Sequence, residues 1–379
     1  MAPTSDAYWL GLRRVRGVGP RIYRLLLERF GSPEKIFEAG EEEIAQAGIP
    51  RPTARNIREF RDFAPVEKEL CELPRINARV VKWSDPDYPV NLRHIADPPP
   101  YFFIRGTMAA ADPKFVAVVG ARAASDAGRR MAQRLGLELA AKGYSVVSGL
   151  ARGIDSEAHQ GALDGGGRTV AVMGNGIDIV YPPENRKLAE AIVEGGGAMM
   201  SELPVGTPPI AENFPARNRL ISGLCLGVVI VEAAEKSGSL ITARMAIEQD
   251  RQVFAVPGSP LNGRTRGSNR LLKDGARLVD CVEDVVEELA PQLGEAVKRS
   301  ARAGAGTSAG AAGVDQNALE SEPSEVKTIL GYLKETDKLH VDSIIEGSGL
   351  NAQTVLKLLL ELELRGLVTQ HPGKLFSLG

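Results

Sequence analysis

Five short stretches between positions 118 and 242 set small residues at the ends of apolar runs, most of them beside fixed positive charge. They are Gly120-Ala-Arg122, Ser148-Gly149-Leu-Ala-Arg152-Gly153, Gly174-Asn-Gly176, Phe214-Pro-Ala-Arg217-Asn218-Arg219, and Lys236-Ser237-Gly238-Ser239 running on through Thr242. Glycine lets a phosphate oxygen approach backbone N–H groups, and arginine adds a two-pronged contact, so loops of this kind favour a polyanion. Any one of them reads equally well as a simple turn. Five at one edge of one sheet point to a shared anion site. Phe214 adds an aromatic face, and aromatic plus basic groups in one groove are what single-stranded nucleic acid needs; alone, Phe214 reads as readily as a core residue.

Other chemistries lack their residues. Gly120-Ala-Arg-Ala-Ala-Ser125 is not the three-glycine dinucleotide fingerprint, and Val147-Ser148-Gly149 ends without an acidic residue for a ribose, which disfavours a nicotinamide-dependent dehydrogenase. No GxxxxGK[ST] loop is present, so nucleoside triphosphate hydrolysis has no visible machinery. Asp155, Glu157 and His159 open a helical stretch, where acidic residues favour the helix dipole, and they read as structural. His94, His340 and His371 are isolated. Cys71, Cys225 and Cys281 are too far apart for a disulfide framework or a zinc site and read as buried hydrophobes, so neither metal nor cofactor is expected.

The elements that must position these loops follow from periodicity. From position 114 onward apolar strands alternate with helical stretches, the order of βαβ units around a parallel sheet. Strands are predicted over 116–120, 145–149, 169–174, 198–203, 228–231, 253–257 and 277–279, with helices over 125–142, 154–165, 184–194, 239–250 and 282–289. The expected fold class is therefore α/β, a Rossmann-like doubly wound sheet. Ahead of it, helices over 8–15, 20–30, 33–38, 41–46 and 53–73, separated by Gly and Pro, form a helix-hairpin-helix or sterile-alpha-motif-like bundle. Two short strands, 79–83 and 101–104, join the two parts. At the far end, helices over 326–335, 341–347 and 351–365 precede a hairpin over 367–376, which is winged-helix order. The domains expected are 1–78, 79–290, a flexible Ala/Gly-rich linker 291–322, and 323–379. Within 301–313, ten of thirteen residues are Ala or Gly, too few large apolar groups to offset chain entropy.

The chain has 379 residues, 43% hydrophobic and 25% charged, with Lys and Arg numbering 46 against 48 Asp and Glu, a net −2. Such usage is that of a globular protein, and the balance argues against indiscriminate coating of nucleic acid. No transmembrane run or export signal is visible, so a cytoplasmic location with no membrane partner is expected. Charge is nonetheless uneven. Arg13, Arg14, Arg16, Arg21, Arg24 and Arg29 face only Glu28, and the Gly17-Val-Gly19 turn among them could offer N–H groups to a phosphate as an auxiliary contact. Residues 323–379 carry six basic and seven acidic groups, a poor endowment for a duplex-binding winged-helix regulator.

The motifs Val118-Val-Gly-Ala-Arg122, Ser148-Gly-Leu-Ala-Arg-Gly-Ile-Asp155 with Ala158-His159, Phe214-Pro-Ala-Arg-Asn-Arg219, and Lys236-Ser-Gly-Ser-Leu-Ile-Thr-Ala243 with Val256-Pro-Gly258 together resemble the DNA-processing protein A (DprA, or Smf) family, in family order. The resemblance implies an extended Rossmann-like domain that binds single-stranded DNA, forms a homodimer and helps load the RecA recombinase in natural transformation, without enzymatic activity. It implies a DNA pocket of Arg122, Gly149, Arg152, Phe214, Arg217, Asn218, Arg219, Lys236, Ser237, Gly238, Ser239 and Thr242. One departure is that Ala211-Glu212-Asn213 precede the aromatic, where members often place a basic residue. The runner-up is a nucleotide phosphoribohydrolase of the same superfamily, with a PGGxGTxxE loop. The equivalent stretch here, 237–245, lacks the adjacent Gly-Thr and the catalytic glutamate.

Overall fold

The computed structural model describes residues 3–108 and 114–305, then 339–348, 350–351, 368–371 and 375–378, with scattered positions between 326 and 362. Two compact units divide the chain, Met1–Gly306 and Thr307–Gly379.

The first unit opens with six short helices: α1 (Ser5–Arg14), α2 (Pro20–Phe30), α3 (Pro33–Glu38), α4 (Glu41–Gln46), α5 (Arg51–Glu59) and α6 (Ala64–Glu72). Their starts are legible in side chains that accept orphan backbone N–H groups, Thr4 from Ala7 and Ser32 from Lys35, and in Pro20 and Pro33 at first helical turns. The single helix expected over 53–73 is instead two. Pro65 lacks an N–H and its ring would clash with the carbonyl of Arg61, so the chain must break there. In the break, Phe60 and Phe63 meet edge to face at 5.0 Å, and Phe63 also meets Phe37 at 5.4 Å. Glu69 on α6 ties this bundle to the rest of the unit, with Oε2 2.6 Å from Arg14 Nη2 and Oε1 accepting from Val205 N at 2.7 Å.

β1 (Ala78–Lys82), α7 (Val90–Arg93) and β2 (Tyr101–Gly106) lead into β3 (Phe115–Val119), α8 (Asp126–Ala141), β4 (Ser145–Ser148), α9 (Ile154–Asp164), β5 (Thr169–Val172), α10 (Arg186–Glu194) and β6 (Ala198–Ser201). Then come α11 (Asn213–Leu224), β7 (Gly227–Ile230), α12 (Ser239–Glu248), β8 (Gln252–Ala255), α13 (Arg266–Lys273), β9 (Arg277–Leu278) and α14 (Val282–Ala305). The nine strands form one sheet in the order β1-β2-β6-β5-β4-β3-β7-β8-β9. Strands β3 to β9 run parallel, and β2 joins β6 antiparallel with β1 outside it. This is the doubly wound α/β sheet the sequence predicts. Its strand order reverses between β3 and β7, which opens a crevice at their carboxyl ends.

Further readings need correction. Residues 213–224, of which 214–219 read as a loop, and 266–273, for which no element is predicted, are helices α11 and α13. Helix α14 continues past the boundary drawn at 290, through Pro291 to Ala305, since the residues after the proline include good helix formers such as Gln292, Leu293, Glu295 and Ala296. The rest of the expected linker, 306–322, lies outside the described residues. Of the cysteines only Cys225 is buried; Cys71 is exposed and Cys281 partly so.

In the second unit, β10 (Leu339–His340), α15 (Val341–Ser348), β11 (Val368–His371) and β12 (Leu375–Leu378) build an antiparallel sheet of order β10-β12-β11, with Val341, Ile344, Val355, Leu359 and Phe376 in its core. This is a winged-helix domain. Of the helix expected over 351–365, only 351, 354–355, 358–359 and 362 are described. Among the described residues no helix is long and apolar enough to cross a membrane.

Candidate nucleic-acid interface

The carboxyl ends of β3 and β7 and the helices behind them enclose an open groove of about 760 Å³. Arg122 enters it from the β3–α8 loop, Phe214, Arg217 and Asn218 from α11, and Lys236, Ser237, Gly238, Ser239 and Thr242 from the β7–α12 connection and the start of α12. Placing Phe214 to Arg219 on a helix gives them different directions. The Phe214 ring is partly exposed, with the Arg122 guanidinium carbon 5.3 Å from its centroid and Tyr181 5.8 Å away, tilted by 34°. Arg217 is 5% exposed and its Nη1 donates to the carbonyls of Gly149, at 3.1 Å, and Val172. It borders the groove with its charge directed inward.

Gly149 explains why the inward arrangement is possible. A Cβ there would sit 2.7 Å from Arg217 Nη2 and 2.8 Å from Asp155 Oδ2, so glycine is required for both side chains to approach the strand end. Asp155 is buried and accepts from Gly149 N at 3.1 Å. Burial raises its pKa against the pull of Arg217 and those N–H groups, and burial lowers Arg217 to about 10, still charged at neutral pH. His159 lies behind them. Thr169 Oγ1 donates its one proton to Val146 O at 2.7 Å, so His159 Nδ1, 2.6 Å away, must donate to Thr169. The ring is neutral, its pKa pushed down to about 3 by burial and then by Arg217. The structural reading of Asp155 and His159 agrees with this network.

Arg219 points elsewhere. Its Nε is 2.9 Å from Asp97 and its Nη2 2.5 Å from Glu202, with the side chain 12% exposed, so it ties α11 to the end of β6 and does not line the groove. Arg152 is exposed, 2.5 Å from Glu184, and borders a small recess of about 40 Å³ beside Arg122, Tyr181 and Phe214.

The entrance of α8, the helix that follows Arg122, holds a carboxylate of the chain itself. Glu232, buried at the end of β7, places Oε2 2.9 Å from Ser125 N and 3.0 Å from Ser125 Oγ. A Cβ at Gly128, in the first turn of α8, would collide with the same oxygen. Sequence reading also missed Tyr181 and Arg264, both exposed and both lining the groove. Tyr181 carried one available signal, an aromatic after the glycine-containing loop at Gly174. Arg264 precedes a helix the sequence did not reveal.

The profile of the DNA recombination-mediator protein A family matches residues 79–290, more than half the chain. The chain belongs to the DprA/Smf family. The DprA winged-helix domain matches 315–374 and a SAM-like helix-hairpin-helix tandem matches 10–61. Protein Smf from Synechocystis is 34% identical over 98% of both chains, and Protein Smf from Escherichia coli 39% identical over 87% of this chain and 85% of that one. The crystal structure of DprA from Streptococcus pneumoniae superposes with a TM-score of 0.65 at 35% identity, covering 76% of this chain and 99% of that one. DprA from Helicobacter pylori, described in a single-stranded DNA binding mode, gives 0.51 at 29% identity over 57% and 96%.

Proposed function

We propose that this chain binds single-stranded DNA in the groove at the carboxyl edge of the sheet, protects it, and loads RecA recombinase onto it in natural transformation, acting as a cytoplasmic homodimer without enzymatic activity. The observation that carries the binding step is the cluster of Arg122, Tyr181 and Phe214 beside Lys236 and Arg264: exposed cations within reach of exposed aromatic faces. Bases have π-faces of any sequence to stack there, while the cations follow the backbone. Arg122, Phe214, Asn218, Lys236, Ser237, Gly238, Ser239 and Thr242 are the contacts, joined by Tyr181 and Arg264; Gly149, Arg152 and Arg217 shape the floor and the adjoining recess, and Arg219 acts only by anchoring α11. RecA loading and dimerisation rest on family membership.

The phosphoribohydrolase reading finds less support. Among the described residues, the one carboxylate lining the groove is Asp155, which is held by the N–H groups of Gly149 and Ala151.

A gel shift with single- and double-stranded oligonucleotides of equal length at two salt concentrations tests the binding step. Preference for the single strand, weakening as salt rises, is expected; equal affinity for the duplex would overturn it. Faster RecA filament formation on the same strand is the expected readout of loading, and an unchanged rate would remove that step.

A further inference from the structure

Helix α13 carries Arg266, Arg270 and Lys273 at spacings of four and three, which aligns them on one face. All three are exposed, and together they line a second open cavity of about 470 Å³, shared with Glu235 and Asp274. The cavity adjoins the groove through the chain on both sides: Glu235 borders the cavity and Lys236 the groove, and Arg264 borders the groove and Arg266 the cavity. The helix is also fixed to the loop that lines the groove, since Gly267 N and Ser268 N both donate to Ala233 O, at 2.8 and 3.2 Å.

The charges on this face are not consumed within the fold. Arg266 and Lys273 make no ion pair among the described residues, and Arg270 has only an exposed contact of 3.6 Å with Asp274, a kind of pair that water screens and that contributes little. With no acidic residue in its first turn, α13 leaves its positive end uncompensated beside Arg264 and Arg266. Such a surface favours a flexible polyanion that already lies next to it. We infer that single-stranded DNA leaving the groove continues along α13, with Arg266, Arg270 and Lys273 contacting successive backbone phosphates.

This rests on the groove being the DNA site, and the test separates the two. Binding of an oligonucleotide of about 6 nucleotides, which the groove alone can hold, is compared with one of about 20. Replacing Arg266, Arg270 and Lys273 together by alanine is expected to weaken the longer strand about tenfold and lower its salt slope by up to about 2, at roughly 0.7 per phosphate contact, while leaving the shorter strand unchanged. The corresponding lysine changes at 266 and 270 should keep the slope, which distinguishes lost charge from a disturbed helix. If the alanine variant binds the longer strand as tightly as the parent while Arg122→Ala weakens both lengths, the α13 path is wrong and the groove stands. If Arg122→Ala changes neither length, both fall.

Discussion

The Arg122 guanidinium carbon stands 5.3 Å from the centroid of the Phe214 ring, within the range at which a cation is drawn to an aromatic face. Arg122 comes from the β3–α8 loop and Phe214 from the first turn of α11, so the contact joins two separate elements at the carboxyl edge of the sheet.

Arg122→Ala should therefore weaken single-stranded DNA binding with little effect on folding, because the side chain is exposed and makes no ion pair among the described residues. The salt slope should fall by about 0.7. Anisotropy titrations at two ionic strengths check this, and identical isotherms would remove Arg122 from the interface.

Arg217→Ala should act mainly on stability. The substitution leaves the Gly149 and Val172 carbonyls without their donor and buried Asp155 without its countercharge. Leaving buried polar groups without their partners costs about 1 to 3 kcal/mol each, which a urea titration resolves. A variant as stable as the parent would show that the buried network tolerates losing its cation.

Acid should weaken the fold through His159. Unfolded, the ring titrates near its ordinary 6.5; folded, near about 3. Between those values the unfolded chain binds the extra proton, so the stability this group contributes is complete above pH 6.5 and is lost as pH falls, at up to about 1.4 kcal/mol per unit. The raised pKa of Asp155 works in the opposite sense at the acid end of that window. Comparing urea midpoints of parent and His159→Leu at pH 7 and 5 checks the sign: the parent should lose more between the two.

Truncation after Gly306, where the first unit ends, should leave most single-strand affinity intact. The winged-helix segment has more acidic than basic residues and little with which to neutralise phosphates. A tenfold loss in a folded truncation, about 1.4 kcal/mol, would contradict this.

The strands were legible to within a few residues because parallel strands, covered on both faces, read as unbroken apolar runs: Phe115–Val119 and Gly227–Ile230 are buried throughout. Helix α11 was not, since Phe214-Pro215 and the Arg-Asn-Arg run look like a loop while the apolar signal sits only in its last turns, at Leu220, Ile221 and Leu224. The residue types of the site were readable; their directions were not. Arginine is almost always exposed, and nothing local to Arg217 announces that a glycine 68 positions earlier makes room for it.

Glu232 gives the groove a further property. At the entrance of α8 the anion is part of the chain, so its effective concentration is set by covalent attachment and not by the surrounding solution. A free phosphate or mononucleotide could take that place only by displacing a ligand that never diffuses away, and mass action gives it little purchase. The cations and rings around the groove stay open to an anion, and there one phosphate gains few contacts while a polymer gains many at once.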